Sequence, residues 1–309
     1  MQLAPIALFV YNRPWHLRQT VDSLMKNCLA KESELIVFSD APEDKKAEVG
    51  VKAVREYLET IDGFKNVLIR NRKDNLSPPR NIIEGVTEVL NEYDKVIVLE
   101  DDLCVSQYFL NFMNDALLFY ENEPKVISIC GYMYPVKTKN CETLFLRLPD
   151  SWGWATWKRG WDLFELNANN LLEGLKAGKL IKKFNLNGGY GYSNMLKRQV
   201  SGKSSSWAIC WYAASLLNDK LSLYPSKSLV RNIGFDDSGI NCGYGAGFAV
   251  DTFQGKINIL NIPLKENQDA IREIGIFLRI EKVKKLGYFI RKALARDFKR
   301  DRISQAVKL

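Results

Sequence analysis

The sequence predicts an α/β fold in which a mostly parallel sheet is flanked by helices. Over residues 3–130, short runs with high β propensity alternate with segments whose apolar residues recur at helical spacing. The chain has 309 residues, of which 46% are hydrophobic, and this is typical of a globular protein with its own core. We expect no membrane span, because no apolar run approaches ~20 residues.

Strands are predicted where β-branched and other apolar residues form short runs, at 3–11, 34–39, 66–70, 95–99 and 126–130. Amphipathic helices are predicted between them, at 14–27, 44–61, 79–93 and 106–120. Pro14 and Pro79 suit first-turn positions, where a missing N–H is tolerated. In such a fold, ligands bind at the carboxyl ends of the strands.

The most informative segment is 96–102, a β-prone apolar run that ends in Glu100, Asp101 and Asp102. Three adjacent carboxylates repel one another, and a hard divalent cation that bridges phosphate oxygens neutralises such a cluster. The segment therefore predicts a metal and nucleotide site. The alternative is an acidic loop, or an N-cap for the helix that follows.

Other strand ends supply further polar groups. Arg13 follows the first predicted strand, Asp40 follows the second, and Arg80 closes the segment 75–80. The sequence contains neither G-x-G-x-x-G after the first strand nor G-x-x-x-x-G-K-[ST] anywhere, so it supports neither a Rossmann dinucleotide site nor a P-loop. We expect metal and side chains to hold the phosphates.

The second half of the chain is aromatic and rich in glycine. It contains six of the seven tryptophans, which are Trp152, Trp154, Trp157, Trp161, Trp207 and Trp211. Because indole faces stack on the C–H faces of sugars, these residues predict a carbohydrate cleft, and the alternative is that they are core. The segment 232–245 is predicted to be a long loop, of a kind often used as a lid.

Cysteine and histidine usage restricts the chemistry. Six cysteines without a C-x-x-C pair favour free thiols over a zinc site or a disulfide framework. His16 is the only histidine, lies in the first predicted helix, and is expected to be structural or at the surface. The first residues lack the regions of a signal peptide, so we expect a cytoplasmic protein.

The positive charge of the chain is concentrated at its end. Residues 279–309 contain eleven basic and three acidic side chains, which accounts for the whole net charge of +8. Over residues 276–302 the apolar residues are roughly helix-spaced, which predicts a basic amphipathic helix on an anionic membrane surface. The alternative is a helix packed on its own domain with a solvated charged face. No motif supports nucleic-acid binding.

Taken together, these segments resemble the GT-A fold glycosyltransferases, and among them N-acetylglucosaminyltransferase I and related bacterial polysaccharide glycosyltransferases. The resemblance runs from about residue 5 to residue 245. It is strongest over residues 5–105, where the acidic motif 97–103 follows a strand. The aromatic segment 151–154 and the segment 221–234 resemble the family's donor-sugar segment and the approach to its donor-closing loop.

The resemblance implies roles for the polar residues at the strand ends. It implies that Asp102 binds Mn²⁺ on the donor diphosphate, that Asp101 contacts the donor sugar, and that Glu100 lies near the nucleoside. It also implies donor contacts by four further residues: Arg13, Asp40, Arg80 and Trp154.

One departure concerns the general base. Where the eukaryotic relative has acids between two tryptophans, this chain has Ala208, Ile209 and Cys210. If the reaction inverts the anomeric centre, another group must accept the proton of the attacking hydroxyl. The candidates, in order, are Asp236, Asp237 and Asp150, although Asp236 and Asp237 could instead complete the metal shell.

The sequence is therefore interpreted as a Mn²⁺- or Mg²⁺-dependent glycosyltransferase that uses a UDP-sugar and a glycan or lipid-linked glycan acceptor. Residues 1–130 form the nucleotide-sugar half, residues 131–275 the acceptor half of the same GT-A domain, and residues 276–309 a basic C-terminal helix. The alternatives are a non-catalytic glycan-binding subunit and, third, a sugar-nucleotide nucleotidyltransferase.

Overall fold

A computed structural model describes residues 2–138, 141–236 and 246–306. Its main feature is an eight-stranded sheet with the order β3-β2-β1-β4-β8-β6-β9-β7, next to a small sheet of β5 and β10. The strands are β1 (Ile6–Val10), β2 (Glu34–Ser39), β3 (Asn66–Asn71), β4 (Lys95–Glu100), β5 (Leu103–Val105), β6 (Val126–Cys130), β7 (Thr143–Leu146), β8 (Trp154–Trp157), β9 (Leu221–Pro225) and β10 (Val230–Asn232).

The sheet is mixed, with a parallel majority. Strands β3, β2, β1 and β4 are parallel neighbours, and β6 is parallel to β9. Strand β8 lies antiparallel between β4 and β6, and β7 is antiparallel to β9. The α/β class expected from the sequence is confirmed, and the antiparallel β8 joins the two halves of the chain into one sheet.

The helices are α1 (Pro14–Met25), α2 (Lys45–Leu58), α3 (Ser77–Tyr93), α4 (Phe109–Phe119), α5 (Lys158–Trp161), α6 (Ala168–Ala177), α7 (Ile181–Phe184), α8 (Tyr192–Val200), α9 (Trp207–Leu217) and α10 (Gln268–Ala306). Asp44 caps α2 by accepting the N–H groups of Lys46 and Ala47. Helix α4 begins three residues later than predicted, because the N–H of Ser106 donates to the carbonyl of Leu229 instead.

The core lies in two clusters of buried side chains. The larger cluster contains the apolar side chains of α1, α4 and β6, and extends to α6, α9 and the start of α10. The smaller cluster contains α3 together with Trp154, Trp161, Trp207 and Trp211. The described cysteines are free, and of these Cys130 and Cys210 are buried. None of the described helices is long and apolar enough to cross a membrane.

Candidate functional site

The site lies at the carboxyl edge of the sheet, because parallel strands deliver the residues that follow them to one rim. In the β1 to β4 register Phe9 lies opposite Glu100, so Tyr11 to Arg13 come out beside Asp101 and Asp102. The sheet register therefore brings Arg13 next to Asp101 and Asp102, which lie 88 and 89 positions away from it in the sequence.

Arg13 pairs with both aspartates. Its Nη2 contacts Asp101 Oδ1 and lies 2.8 Å from Asp102 Oδ2, and the Arg13 side chain is only 17% exposed. Burial opposes the charge on the guanidinium, but attraction by the two carboxylates outweighs it and raises the pKa of Arg13. Nη1 of Arg13 is buried and has no hydrogen-bond partner among the described residues.

Two backbone contacts fix the acidic turn. The N–H of Tyr11 donates to Asp101 Oδ2 at 3.3 Å, and the hydroxyl of Thr20 on α1 donates to the carbonyl of Asp101 at 2.8 Å. Sequence reasoning missed Thr20. One signal for Thr20 was available in the sequence. Thr20 falls on the buried face of α1, the helix that begins directly after Arg13.

Burial and mutual repulsion change the acidity of the triplet. Burial raises the pKa of Glu100 to about 8, with further contributions from Asp102 and Asp101. Burial also raises the pKa of Asp101 to about 6, although Arg13 opposes this change. Arg13 carries one positive charge and contacts two aspartates, so a further cation could balance the remaining carboxylate charge.

Asp40 lies at the end of β2 and is 3% exposed. Its Oδ1 accepts the N–H groups of Ala41 and Leu76, both at 2.9 Å, which holds the segment before α3 against the sheet edge. Arg80 lies in the first turn of α3, is exposed, and pairs with Glu84. The structure thus places Asp40 at the rim as a buried anchor and Arg80 as an exposed side chain.

The small sheet covers the acidic turn from the other side. Asn232 in β10 lies opposite Leu103 in β5, and the N–H of Ile233 donates to the carbonyl of Asp102 at 2.9 Å. Gly234 then lies so close to Asp102 that a Cβ at this position would overlap Oδ2 and lie 3.2 Å from Nη1 of Arg13. Only glycine, which has no side chain, allows the backbone at position 234 to lie this close to Asp102.

The candidate bases lie in different surroundings. Asp236 Oδ2 lies 3.0 Å from Nε2 of His16, which is buried in the first helix. Asp237 lies outside the described residues. Asp150 lies before β8, whose first residue Trp154 is opposite Val98 near the end of β4.

Asp150 is held in an aromatic environment. Its Oδ1 accepts the N–H of Trp152 at 2.8 Å, and its Oδ2 lies 3.4 Å from the hydroxyl of Tyr134. Burial raises the pKa of Asp150 to about 7, and these hydrogen bonds oppose the change. The Trp152 ring contacts the rings of Tyr132, Phe235 and Phe248. Asp150 is therefore poised to exchange a proton near neutral pH.

The structure corrects the expectation that the tryptophans line a carbohydrate cleft. Trp154 was expected to contact the donor sugar, but its side chain is fully buried and packs against Trp161, Trp207 and Trp211. These four rings, together with the buried Trp157, are core and do not line a carbohydrate cleft. Trp152 is the partly exposed ring of the expected set. The segment around Ala208 and Cys210 belongs to the largely buried α9, so its lack of acids is explained by burial.

A divalent cation at the acidic turn would be held mainly through one carboxylate, that of Asp102. Within the described residues, no group of three or more histidine, cysteine, aspartate and glutamate side chains is arranged to hold a metal ion. The Asp102 side chain is 10% exposed, and carboxylate oxygen is the donor that Mg²⁺ and Mn²⁺ prefer. Mg²⁺ sites commonly combine one or two carboxylates with substrate phosphates.

No protein-family model matches the chain, and no curated protein sequence matches it. Among solved structures, a mannosyltransferase from Pyrobaculum calidifontis in complex with GDP-Man and Mn²⁺ is 11% identical, with a TM-score of 0.38 over 70% of this chain and 75% of that one. Two structures of S. aureus TarS are each 17% identical, with TM-scores of 0.31 and 0.33 over 45% and 54% of this chain. This chain spans 24% and 49% of their lengths.

Proposed function

We propose that this chain is a glycosyltransferase that moves a hexosyl or N-acetylhexosaminyl group from a UDP-sugar to a glycan acceptor with the help of Mn²⁺ or Mg²⁺. The observation that carries the proposal is the pairing of Arg13 with Asp101 and Asp102 at the carboxyl edge of the sheet. A guanidinium with one unpartnered nitrogen beside excess carboxylate suits a phosphate group and a hard cation together.

In this proposal Asp102 holds the metal, Asp101 contacts the donor sugar, and Asp40 and Glu100 face the nucleoside. Nη1 of Arg13 donates to a phosphate oxygen, and two exposed side chains, Arg80 on α3 and Arg231 on β10, add positive charge. The chemistry that a bound metal supplies is to offset the charge that develops on the leaving diphosphate.

We infer that Asp150 is the general base, ahead of Asp236 and Asp237. As the acceptor hydroxyl oxygen attacks the anomeric carbon, Asp150 takes its proton. The bond from that carbon to the diphosphate breaks, and UDP leaves with the electron pair, which inverts the centre. A pKa of about 7 favours this role, because such a base is both ionised and sufficiently basic at neutral pH.

The proposal extends to the acceptor and its location. We propose a lipid-linked intermediate of a bacterial surface polysaccharide, such as O-antigen, capsule or lipopolysaccharide, as the acceptor. Such an acceptor would place the chain in the cytoplasm, peripherally on the inner face of the inner membrane.

The testing experiment is calorimetric titration of UDP into the wild type and Asp102→Ala, with and without Mn²⁺. We expect Mn²⁺-dependent binding in the wild type and at least a tenfold loss in the variant. Arg80→Gln removes a cation at the rim of the site. Lys158→Gln is compared with it because it removes a cation remote from the site. Equal binding with and without Mn²⁺, or full affinity in Asp102→Ala, would overturn the metal role.

Two other outcomes separate the alternatives. Glycan binding without turnover of any UDP-sugar would indicate a non-catalytic glycan-binding subunit. Release of pyrophosphate from UTP and a sugar phosphate would indicate a nucleotidyltransferase, and we expect none.

A further inference from the structure

Helix α10 has one face that packs on the rest of the protein. Ala270, Ile271, Ile274 and Leu278 are each at most 8% exposed. Phe277 contacts the rings of Tyr134 and Phe248. The first turns of α10 are thus part of the larger core cluster, and this face accounts for the attachment of the helix.

A second apolar face of α10 is exposed. Ile276, Ile280, Val283 and Leu286 are 40%, 49%, 71% and 62% exposed, although they recur at intervals of four, three and three residues. We call these four residues the α10 stripe. Because the α10 stripe lies on the side of the helix away from its buried residues and stays 40–71% exposed, its helical spacing indicates a surface that something else covers.

Positive charge surrounds the α10 stripe. Arg272 and Arg279 lie four residues before and three residues after Ile276, so they are neighbours of the stripe on the helix surface. Lys282 and Lys285 are exposed on the same stretch. The excess of basic residues over 279–309 would make two parallel or antiparallel copies of this helix repel. An anionic surface has the complementary charge.

A groove beside the first turns of α10 is lined by Arg272 and Arg279, the two arginines that neighbour the α10 stripe, and by none of the four stripe residues. It has a volume of about 300 Å³ and lies between α10 and the turn at 186–188, with a lining of Leu186, Asn187, Gln268, Asp269, Ile271, Arg272 and Arg279. Arg272 pairs with Asp269 at 3.2 Å and lies 3.7 Å from Glu273. Arg279 has no carboxylate partner among the described residues, and its Nε donates to the carbonyl of Gly275. Guanidinium groups beside apolar side chains match the phosphate and acyl parts of a lipid.

We propose that α10 docks on a bilayer of anionic phospholipid. The α10 stripe enters the boundary between headgroups and acyl chains, and the groove with Arg272 and Arg279 receives a lipid phosphate. This inference does not depend on the donor chemistry, because none of these residues belongs to the site at Asp102.

The test is sedimentation of the full chain with vesicles of phosphatidylcholine alone or with about a third phosphatidylglycerol. We expect binding to the anionic vesicles that weakens between about 0.1 M and 0.5 M salt, and little binding to the neutral ones. The double variant Ile280→Asn/Val283→Asn should reduce the partition coefficient at least about tenfold. Arg272→Gln/Arg279→Gln should also reduce it by about tenfold or more.

The matched control is Val49→Asn, because Val49 is 77% exposed on α2 and outside the proposed surface. It should bind vesicles as the wild type does, and all variants should show wild-type circular dichroism and melting. Equal binding to neutral and anionic vesicles, or full binding by either double variant, would overturn the proposal. So would a dimer in sedimentation velocity that Ile280→Asn/Val283→Asn dissociates, since the α10 stripe would then be covered by a second copy.

Discussion

Arg13 is one cation between two carboxylates that are largely removed from water. Breaking a buried pair from one side leaves uncompensated charge, which typically costs about 3–5 kcal/mol. We therefore expect Arg13→Gln, without metal, to lower the free energy of unfolding by about 3 kcal/mol in urea titrations. Added Mn²⁺ should recover part of this loss, because a cation at Asp102 would restore the charge balance.

Lys158→Gln is the control for this prediction. Lys158 pairs with Asp162 at 3.2 Å, but both side chains are about half exposed. Its loss should therefore cost less than about 1 kcal/mol. If Arg13→Gln also lowered the free energy of unfolding by less than about 1 kcal/mol, the pair of Arg13 with the aspartates would be solvated. There would then be no reason to expect an effect of Mn²⁺ on stability.

Asp150 gives a prediction about the pH dependence of transfer. A general base acts only when ionised, so the rate of sugar transfer should rise with pH and level off above pH 7, near the pKa of Asp150. Asp150→Asn should lower this rate about 10²- to 10⁴-fold, while the affinity for UDP stays within about twofold. An unchanged rate profile in the variant would assign the proton to Asp236 or Asp237.

The same carboxyl gives a prediction about stability. The pKa of Asp150 is about 7 in the folded chain, against 3.8 for the ordinary group, so the folded state binds the proton more tightly. The stability contributed by Asp150 is present below about pH 4 and is lost as pH rises through about 7. Asp150→Asn should therefore gain stability relative to the wild type as pH rises from about 4 to about 7, and keep a constant gain above pH 7, in thermal unfolding. A difference between the two proteins that stays constant from about pH 4 to about pH 7 would contradict the raised pKa.

Strand β10 and the turn after it set the space around Asp102. In Gly234→Ala the new methyl would overlap Asp102 Oδ2, which has no room to move because Arg13 holds it. We expect a stability loss of about 1–3 kcal/mol and a loss of UDP affinity of at least about tenfold. Gly191→Ala is the control, since its methyl would meet only the side chain of Asn194. Wild-type behaviour of Gly234→Ala would show that the turn can shift.

The strands at the carboxyl edge where the site lies could be predicted because each is marked by a short apolar run in its own sequence. The ranges 34–39 and 126–130 agree with β2 and β6 at both ends, and β1 and β4 differ from the predictions only at their ends. Strand β8 was missed. It has four residues and owes its place to antiparallel pairing with Val96 and Ser128, which lie far from it in sequence.

The contacts within the site were less predictable than its location. That Arg13 and Asp102 share a rim follows from parallel strand ends, but that they pair at 2.8 Å depends on the register of β1 against β4. The burial of Trp154 and Trp211 depends on how α3 and α9 pack on one face of the sheet. A tryptophan suits a core and a sugar cleft equally well, so its type alone did not decide between them.

Along α10, the residues that pack on the rest of the protein and the residues that carry most of the positive charge lie in different parts of the chain. Residues 289–309 carry five of the eight net positive charges, whereas the buried side chains described on α10 end at Glu281. We expect a chain that ends at Tyr288 to keep the melting temperature within about 2 °C and the UDP affinity within about twofold. Its affinity for anionic vesicles should fall at least about tenfold, because attraction to anionic lipid scales with the number of cations near the surface. Unfolding of the shortened chain at a much lower temperature would show that the end of α10 supports the fold, and unchanged vesicle binding would confine the lipid contact to the α10 stripe and its groove.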